Sequence, residues 1–273
     1  MMSADTVPQL SYVYGVGIAG EALDRAAALL PGVDGGRVRT VGAAGLAALT
    51  SSVPADTFAM EGLKAQLEDL ARLETVARTH DAVVEAASAH TTVLPMRLAT
   101  VYHDDRRVAA MLTDRAAELG ALLRQLAGHV ELGVKVYADV REAAAPAPAT
   151  ADEAAAEMSP GRAYLQHRRA ERRTHSDVHR AAASVAAQAA ARVAGCAVLR
   201  MAHRPQRGEL APATGENVVN EAYLVPAGRV EEFRTALAGL DDEAPGVHLE
   251  ITGPWAPYSF ATPPEPDGPS DAQ

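Results

Sequence analysis

The stretch VHLEITGPWAPYSF, residues 247–260, sets the pattern from which the rest of the chain can be interpreted. Its first half alternates apolar and polar residues, which is typical of a β-strand with one buried face. A glycine and a proline end that strand, and three aromatic residues follow within six positions: Trp255, Tyr258 and Phe260. We expect this aromatic segment to fold back as a lid over the sheet it has just left. Because it carries no nucleophile and no cluster of metal ligands, it should act by packing or by contact with a partner.

Upstream of this strand, the apolar pattern predicts a β-α-β-β-α-β order of elements. The predicted strands are 132–140, 196–203, 218–225 and the strand that begins at 247, with a long helix at about 162–193 and a short one around 230–240. This is the element order of a ferredoxin-like domain. Residues 142–159 are rich in alanine, proline and glutamate without an apolar period, so we predict a disordered insertion there.

The N-terminal half also mixes strands and helices. The predicted elements are strands at 10–18, 37–42 and 46–53, an amphipathic helix at 58–89, a strand at 91–102 and a helix after Asp104 and Asp105, one of which should cap it. Pro95 marks the fourth strand as an edge strand or a bulge, because proline has no amide proton. The fold class is therefore α+β, with an N-terminal α+β domain at 1–128, a ferredoxin-like domain at 129–261 and a disordered tail at 262–273.

Composition excludes several classes of partner. The 273 residues include 25 basic and 35 acidic side chains, and the net charge of −10 opposes non-specific binding to nucleic acid or to anionic membranes. A single cysteine, Cys196, rules out an intramolecular disulfide and fits a reducing cytosol. The sequence shows neither a secretory signal nor an apolar run long enough to span a bilayer, so we expect a cytoplasmic protein.

A glycine pattern after the first strand offers a nucleotide-binding hypothesis. Gly15, Gly17 and Gly20 form G-x-G-x-x-G, which in a dinucleotide fold lets backbone amides at a helix N-terminus hold pyrophosphate. Such a site also needs an acidic residue after the second strand, and the sequence has none between Asp34 and Asp56. We favour a glycine-rich strand end.

A histidine pattern offers a metal-binding hypothesis. His167, Glu171, His175 and His179 recur every four residues, so one helical face would carry all four. Imidazoles at i and i+4 can chelate zinc, but H-S-D-V-H lacks the glutamate of the H-E-x-x-H motif of zinc enzymes. Neighbouring arginines add positive charge around these histidines. Those arginines are not interleaved with aromatic residues that could stack on bases, so a nucleic-acid site is not favoured either. We favour a solvated helix face.

Two motifs carry a resemblance to a known family. The sequence TGPWAPYSF at 252–260 resembles the C-terminal signature of the gas vesicle proteins of the F/L type, with Ala256 where that family has a second proline. The sequence VLPMRLATVY at 93–102 is similar to a second family motif, with Leu98 and Ala99 in place of its Phe-Gly pair. Shorter matches are YVYG at 12–15, GRAYL at 161–165 and EAYLV at 221–225.

The resemblance implies a non-enzymatic accessory protein of gas vesicle assembly. Its partners would be the small hydrophobic shell protein and other gas vesicle accessory proteins, and its location the gas vesicle or the cytoplasm. No cofactor, metal or catalytic residue is implied. The motifs point to these candidate structural or partner-contact residues: Pro95, Arg97, Trp255, Tyr258 and Phe260. The alternative is a cytosolic enzyme that uses a nucleotide at Gly15, Gly17 and Gly20 or a metal at His167, His175 and His179.

Overall fold

The structure, a computed structural model, describes residues 8–59, 69–144, 160–205 and 215–261. These residues divide into two compact units, each with its own antiparallel sheet. The N-terminal unit comprises residues 8–130 and 255–261, and the C-terminal unit comprises residues 131–254. The α+β class predicted from the sequence is confirmed.

The N-terminal unit is built on a five-stranded sheet. Its strands are β1 (Gln9–Ile18), β2 (Arg39–Ala43), β3 (Leu46–Pro54), β4 (Val93–Pro95) and β5 (Val101–Tyr102), in the order β2-β3-β1-β4, with β5 also paired to β1. Its helices are α1 (Glu21–Ala27), the single turn α2 (Ala55–Phe58), α3 (Leu70–Ser88), α4 (Asp105–Asp114) and α5 (Ala116–Leu126). β1 is central and buried along most of its length, which places its side chains in the core.

Local sequence explains several of these boundaries. Ala44 and Gly45 both have positive φ, as a two-residue hairpin turn between β2 and β3 requires. Asp104 caps α4 by accepting a hydrogen bond from the backbone amide of Arg107 at 2.9 Å, which confirms the predicted aspartate cap. β4 lies at the end of the sheet, in agreement with the edge position predicted from Pro95.

Two elements of this unit differ from the prediction. The strand expected at 91–102 is broken into β4 and β5, since the chain leaves the sheet after Pro95 and Ala99 adopts a φ of 60°. The helix expected at 58–89 is α3 from Leu70 onward, and residues 60–68 of that prediction lie outside the described residues.

The C-terminal unit contains the predicted ferredoxin-like arrangement. Its strands β6 (His129–Ala138), β7 (Leu199–His203), β8 (Glu216–Pro226) and β9 (Val247–Trp255) lie in the order β7-β8-β6-β9. If the four strands are numbered 1 to 4 along the unit, their order in the sheet is 2-3-1-4, which is the strand order of a ferredoxin-like fold. Its helices are α6 (Val140–Ala143), α7 (Pro160–Val193) and α8 (Val230–Leu237), and a stripe of α7 from Val178 to Val193 packs with Phe233 in the core.

The predicted disordered insertion needs a correction at its start. Glu142 lies within α6, whose first turn is capped by the side chain of Asp139. The carboxylate of Glu142 also lies 2.6 Å from Nε2 of His248. Residues 145–159 of the predicted insertion, and the predicted tail at 262–273, lie outside the described residues.

The aromatic segment 255–260 does not form the lid expected over the C-terminal sheet. Ala256 and Tyr258 pack against the core of the N-terminal unit, and Phe260 is buried. Trp255, which such a lid would have buried, is 51% exposed. The difference has a physical reason: the half-buried Tyr258 donates a hydrogen bond to Asp81 in α3 and its ring lies near His80, which holds the segment on the N-terminal unit. Residues 255–261, assigned from the sequence to the ferredoxin-like domain, therefore group with the N-terminal unit.

Candidate functional site

The N-terminal unit contains a buried group of aromatic and polar side chains around one histidine. We call it the His80 cluster, and its members come from β1, β3, α2, α3 and the segment after β9: Tyr12, Tyr14, Ser51, Phe58, His80 and Tyr258. The tyrosines of β1 share one face because alternate strand residues point to the same side. His80 faces them because it lies on the buried stripe of α3 with Val76, Val83 and Val84.

Hydrogen bonds fix the protonation state of His80. Its Nε2 lies 3.1 Å from the backbone oxygen of Met96, which can only accept, so Nε2 carries a proton. In the neutral ring Nδ1 must then accept, and it lies 2.9 Å from the hydroxyl of Tyr12, which donates to it. The Tyr12 oxygen in turn accepts from the backbone amide of Ala99 at 3.1 Å. His80 and Tyr12 together hold both ends of the loop 96–99.

Tyr14 forms a second branch of the cluster. Its hydroxyl lies 2.7 Å from Oγ of Ser51 on β3 and accepts a 2.7 Å bond from the backbone amide of Val33. The rings of Tyr12 and Tyr14 lie 4.8 Å apart, and the Tyr14 ring lies 5.5 Å from that of His80. The turn at residues 33–35 is thereby tied to the same core.

Tyr258 attaches the C-terminal segment to the cluster. Its hydroxyl donates a 2.8 Å hydrogen bond to Oδ1 of Asp81, and its ring lies 6.2 Å from the ring of His80. Pro257 and Phe260, on either side of Tyr258, are buried. The segment is held on a fixed path from Pro257 to Phe260, while Trp255 stays exposed.

Burial sets the charge states of the cluster. It lowers the pKa of His80 below its ordinary value, so the imidazole is neutral at pH 7. It raises the pKa of the Tyr12 and Tyr14 phenols. Burial, and then donation to the Asp81 carboxylate, raise the pKa of Tyr258. These groups are therefore uncharged near neutral pH, and their hydrogen bonds tie the loop 96–99, the turn 33–35 and the C-terminal segment to one core.

The predicted site residues divide into a buried group and an exposed group. Pro95 is buried in β4 opposite Gly15, and Tyr258 and Phe260 belong to the packed segment. Arg97 and Trp255 are exposed. The structure brings the 93–102 and 252–260 motifs together with the YVYG motif. Backbone atoms of Met96 and Ala99 bond to His80 and to Tyr12, and Tyr258 lies against the His80 ring.

Sequence reasoning missed His80 and Asp81. The signal was present, since Val76, Val83 and Ala87 predict a buried stripe on which His80 falls. A histidine on an apolar stripe requires polar partners, and the two tyrosines of the first strand could have supplied them.

The glycine pattern has a packing role at its first position. A Cβ at Gly15 would lie 2.6 Å from Cγ1 of Val93, so only glycine lets β1 and β4 approach so closely. A Cβ at Gly20 would meet nothing within 4 Å. β1 pairs antiparallel with β3, β4 and β5, whereas a dinucleotide site lies at the end of a strand in a parallel sheet. The nucleotide hypothesis is wrong in its structural premise.

The EAYLV motif lies on β8 in the C-terminal unit. Glu221, which is buried, accepts a 2.5 Å hydrogen bond from the hydroxyl of Tyr223 and also pairs with the guanidinium of Arg200 on β7. This arrangement links the two strands across the sheet. In the GRAYL motif on α7, Tyr164 and Leu165 are exposed.

Comparison with known proteins identifies the family. The model of the family described as "Gas vesicle synthesis protein GvpL/GvpF" matches residues 10–262. The chain belongs to the GvpL/GvpF family. The resemblance drawn from the sequence motifs is confirmed.

Relatives of this GvpL/GvpF protein cover most of its length. It is 40% identical over 230 residues to gas vesicle protein L of Streptomyces sp. (strain CB03234), an alignment that covers 84% of this chain and 85% of the relative. It is 26% identical over 253 residues to gas vesicle protein F2 of Halobacterium salinarum (strain ATCC 700922 / JCM 11081 / NRC-1), covering 91% and 90% of the two chains.

Two crystal structures show the same fold. GvpF from Anabaena sp. PCC7120 matches with a TM-score of 0.63 at 20% identity, over 94% of this chain and 97% of that one. GvpF from Microcystis aeruginosa matches with a TM-score of 0.59 at 19% identity, over 93% and 99%. Within the described part of this GvpL/GvpF protein, no helix has the length and apolar character needed to cross a bilayer.

Proposed function

We propose that this GvpL/GvpF protein is a non-enzymatic assembly factor that binds the small hydrophobic shell protein of the gas vesicle. It would bind through three residues that we call the contact surface: Arg97 and Leu98 of the loop after β4, and Trp255. The family supports a role in gas vesicle assembly, and we propose the gas vesicle as the location.

The observation that carries the proposal is the exposure of Trp255. The residues that follow it are packed, yet its own side chain is 51% exposed. An exposed tryptophan on a fixed backbone is a common anchor for protein partners, because it offers a large apolar area at little cost in conformational entropy. An apolar anchor suits a hydrophobic partner.

The loop after β4 adds further contact groups. Leu98 is 38% exposed and Arg97 is exposed beside it. The ends of this loop are bonded to His80 and Tyr12, and Tyr258 packs on the same His80 ring. The His80 cluster therefore acts as a common support for both parts of the contact surface, which lowers the entropy lost on binding.

The chemistry of this site supports the proposed non-enzymatic role. The titratable groups of the His80 cluster are buried or, at Tyr258, half-buried; they are paired and stay in one protonation state near neutral pH. A catalytic acid or base needs a pKa near the working pH and access to a substrate. A support for a binding surface needs neither.

A pull-down with purified shell protein tests the proposal. Trp255→Ala should lower recovery of the shell protein at least tenfold with little change in melting temperature, because the side chain is half exposed. Tyr164→Ala is the matched control, since Tyr164 is an exposed aromatic residue in the other unit, 61% accessible. Equal recovery with the wild-type chain and with Trp255→Ala would refute the proposal.

A further inference from the structure

A group of three metal-ligating side chains lies in the C-terminal unit, on α7 and at the start of β8. His175 and His179 are one helical turn apart on α7, and their rings are stacked with centroids 4.3 Å apart. Glu216, the first residue of β8, faces them. One potential ligand atom from each of the three side chains lies within 4.8 Å of the other two.

One atom of this group needs a partner. Nε2 of His179 is shielded from solvent and makes no hydrogen bond with the described residues. The nearest carboxylate oxygen, Oε2 of Glu216, is 3.3 Å away, at an angle that does not make a hydrogen bond. An ion held between the nitrogen and the oxygen would satisfy both atoms.

We propose that His175, His179 and Glu216 bind one divalent transition-metal ion, with Zn²⁺ best suited. Two imidazoles and one carboxylate are a common three-ligand set for zinc, with a fourth position left for water or another ligand. Ligands about 2.0–2.1 Å from a tetrahedral ion lie roughly 3.4 Å from each other, close to the His179–Glu216 separation. The other distances between ligand atoms, which reach up to 4.8 Å, would shorten when the exposed side chains of His175 and Glu216 move toward the ion.

The surrounding charges permit this site. Arg180 pairs with Asp177 at 3.0 Å, and Arg168 pairs with Glu171 at 3.4 Å, so two of the neighbouring arginines are neutralised. Hard cations such as Mg²⁺ prefer oxygen ligands, and a site with two nitrogen ligands selects against them. The side chain of His167 lies outside the described residues, and the proposed site does not use it.

The position of the site assigns it a structural role. Val178, between the two histidines, is the first of the described side chains of α7 to enter the core of the unit, and α7 packs on β8. A bound ion would join α7 to the first residue of β8 at this point. The positions that follow His175 are Ser176 and Asp177, so the glutamate with which H-E-x-x-H enzymes activate water is absent from this motif.

Titration of the full chain without a histidine tag tests the proposal. After removal of metal by a chelator, ZnCl₂ should bind by calorimetry with one ion per chain and raise the melting temperature, whereas MgCl₂ should do neither. Co²⁺ should give the visible absorption bands of a tetrahedral site. His179→Gln and Glu216→Gln should each weaken Zn²⁺ binding at least tenfold.

The controls separate this site from general affinity for histidine. The chain has nine histidines, so His103→Gln, at an exposed position in the N-terminal unit, should leave the zinc titration unchanged. Circular dichroism checks the fold of each variant, and Glu216→Gln keeps the test valid if a histidine variant unfolds, because Glu216 is exposed. Failure of the wild-type chain to bind Zn²⁺ at micromolar concentration, or unchanged binding in Glu216→Gln, would overturn the proposal.

Discussion

The bond between His80 and Tyr12 should be measurable as a coupling free energy. His80→Leu removes the donor to the Met96 oxygen and the acceptor of the Tyr12 hydroxyl. An unpaired buried polar group costs about 1–3 kcal/mol, and each lost aromatic contact about 0.5–1.5 kcal/mol. Since leucine recovers part of this by apolar burial, we expect a loss of about 2–4 kcal/mol in the free energy of unfolding of the N-terminal unit.

A double-mutant cycle isolates the bond. Tyr12→Phe alone leaves Nδ1 of His80 without its donor, and His80→Leu alone leaves the Tyr12 hydroxyl without its acceptor. The double variant contains neither unpaired group, so its loss should be smaller than the sum of the single losses by about 1–2 kcal/mol. Tyr14→Phe is the matched control, because the Tyr14 hydroxyl bonds Ser51 and Val33 instead, and its effect should add to that of His80→Leu within about 0.5 kcal/mol.

Urea unfolding followed by tryptophan fluorescence is the assay. Trp255, the single tryptophan of the chain, is the last residue of β9 and lies three residues before Tyr258, so its emission responds to unfolding of either unit. Circular dichroism follows both units together and shows whether their transitions coincide. Additive effects of Tyr12→Phe and His80→Leu within about 0.5 kcal/mol would refute the hydrogen-bond scheme.

Three further predictions follow from the same unit and can be measured by the same assay. Gly15→Ala should destabilise it by about 1–3 kcal/mol, because the new Cβ would lie 2.6 Å from Val93, whereas Gly20→Ala should be nearly neutral; equal effects would contradict this. Ala99→Gly should stabilise by about 0.5–1 kcal/mol, because Ala99 has a φ of 60°; a loss of stability would show that this strain is absent. Acid should reduce the stability of this unit as the pH falls below about 6.5. His80 is protonated there in the unfolded chain but stays neutral in the folded one, because burial lowers the pKa of its imidazole. The loss of stability ends when the pH reaches that lower pKa. His80→Leu should lessen this pH dependence, and an unchanged dependence would argue against a buried neutral imidazole.

Sequence patterns predicted the C-terminal unit well because its signals are local. β6 and β9 each show apolar alternation in the sequence, and the helical stripe of α8 is clear at Val230, Phe233 and Leu237. Once the β-α-β-β-α-β order was established, general rules for connections left few topologies to consider. The observed strand order, β7-β8-β6-β9, is the order of a ferredoxin-like sheet.

The candidate site could not be predicted in the same way, because it depends on contacts distant in sequence. Tyr258 and Asp81 are 177 residues apart, and Tyr12 and Ala99 are 87 apart. A local pattern shows that an aromatic residue will be buried, but not which core will bury it. For this reason the sequence placed residues 255–261 with the C-terminal domain, whereas they group with the N-terminal unit.

Gas vesicle formation in a host that lacks its own copy of this gene tests the proposed function most directly. The host would be complemented with the wild-type chain, with Trp255→Ala or with the control Tyr164→Ala, and vesicles would be counted by electron microscopy at matched protein levels. We expect abundant vesicles with the wild-type chain and with Tyr164→Ala, and few or none with Trp255→Ala. Normal vesicle numbers with Trp255→Ala would contradict the claim that this exposed tryptophan anchors the shell protein.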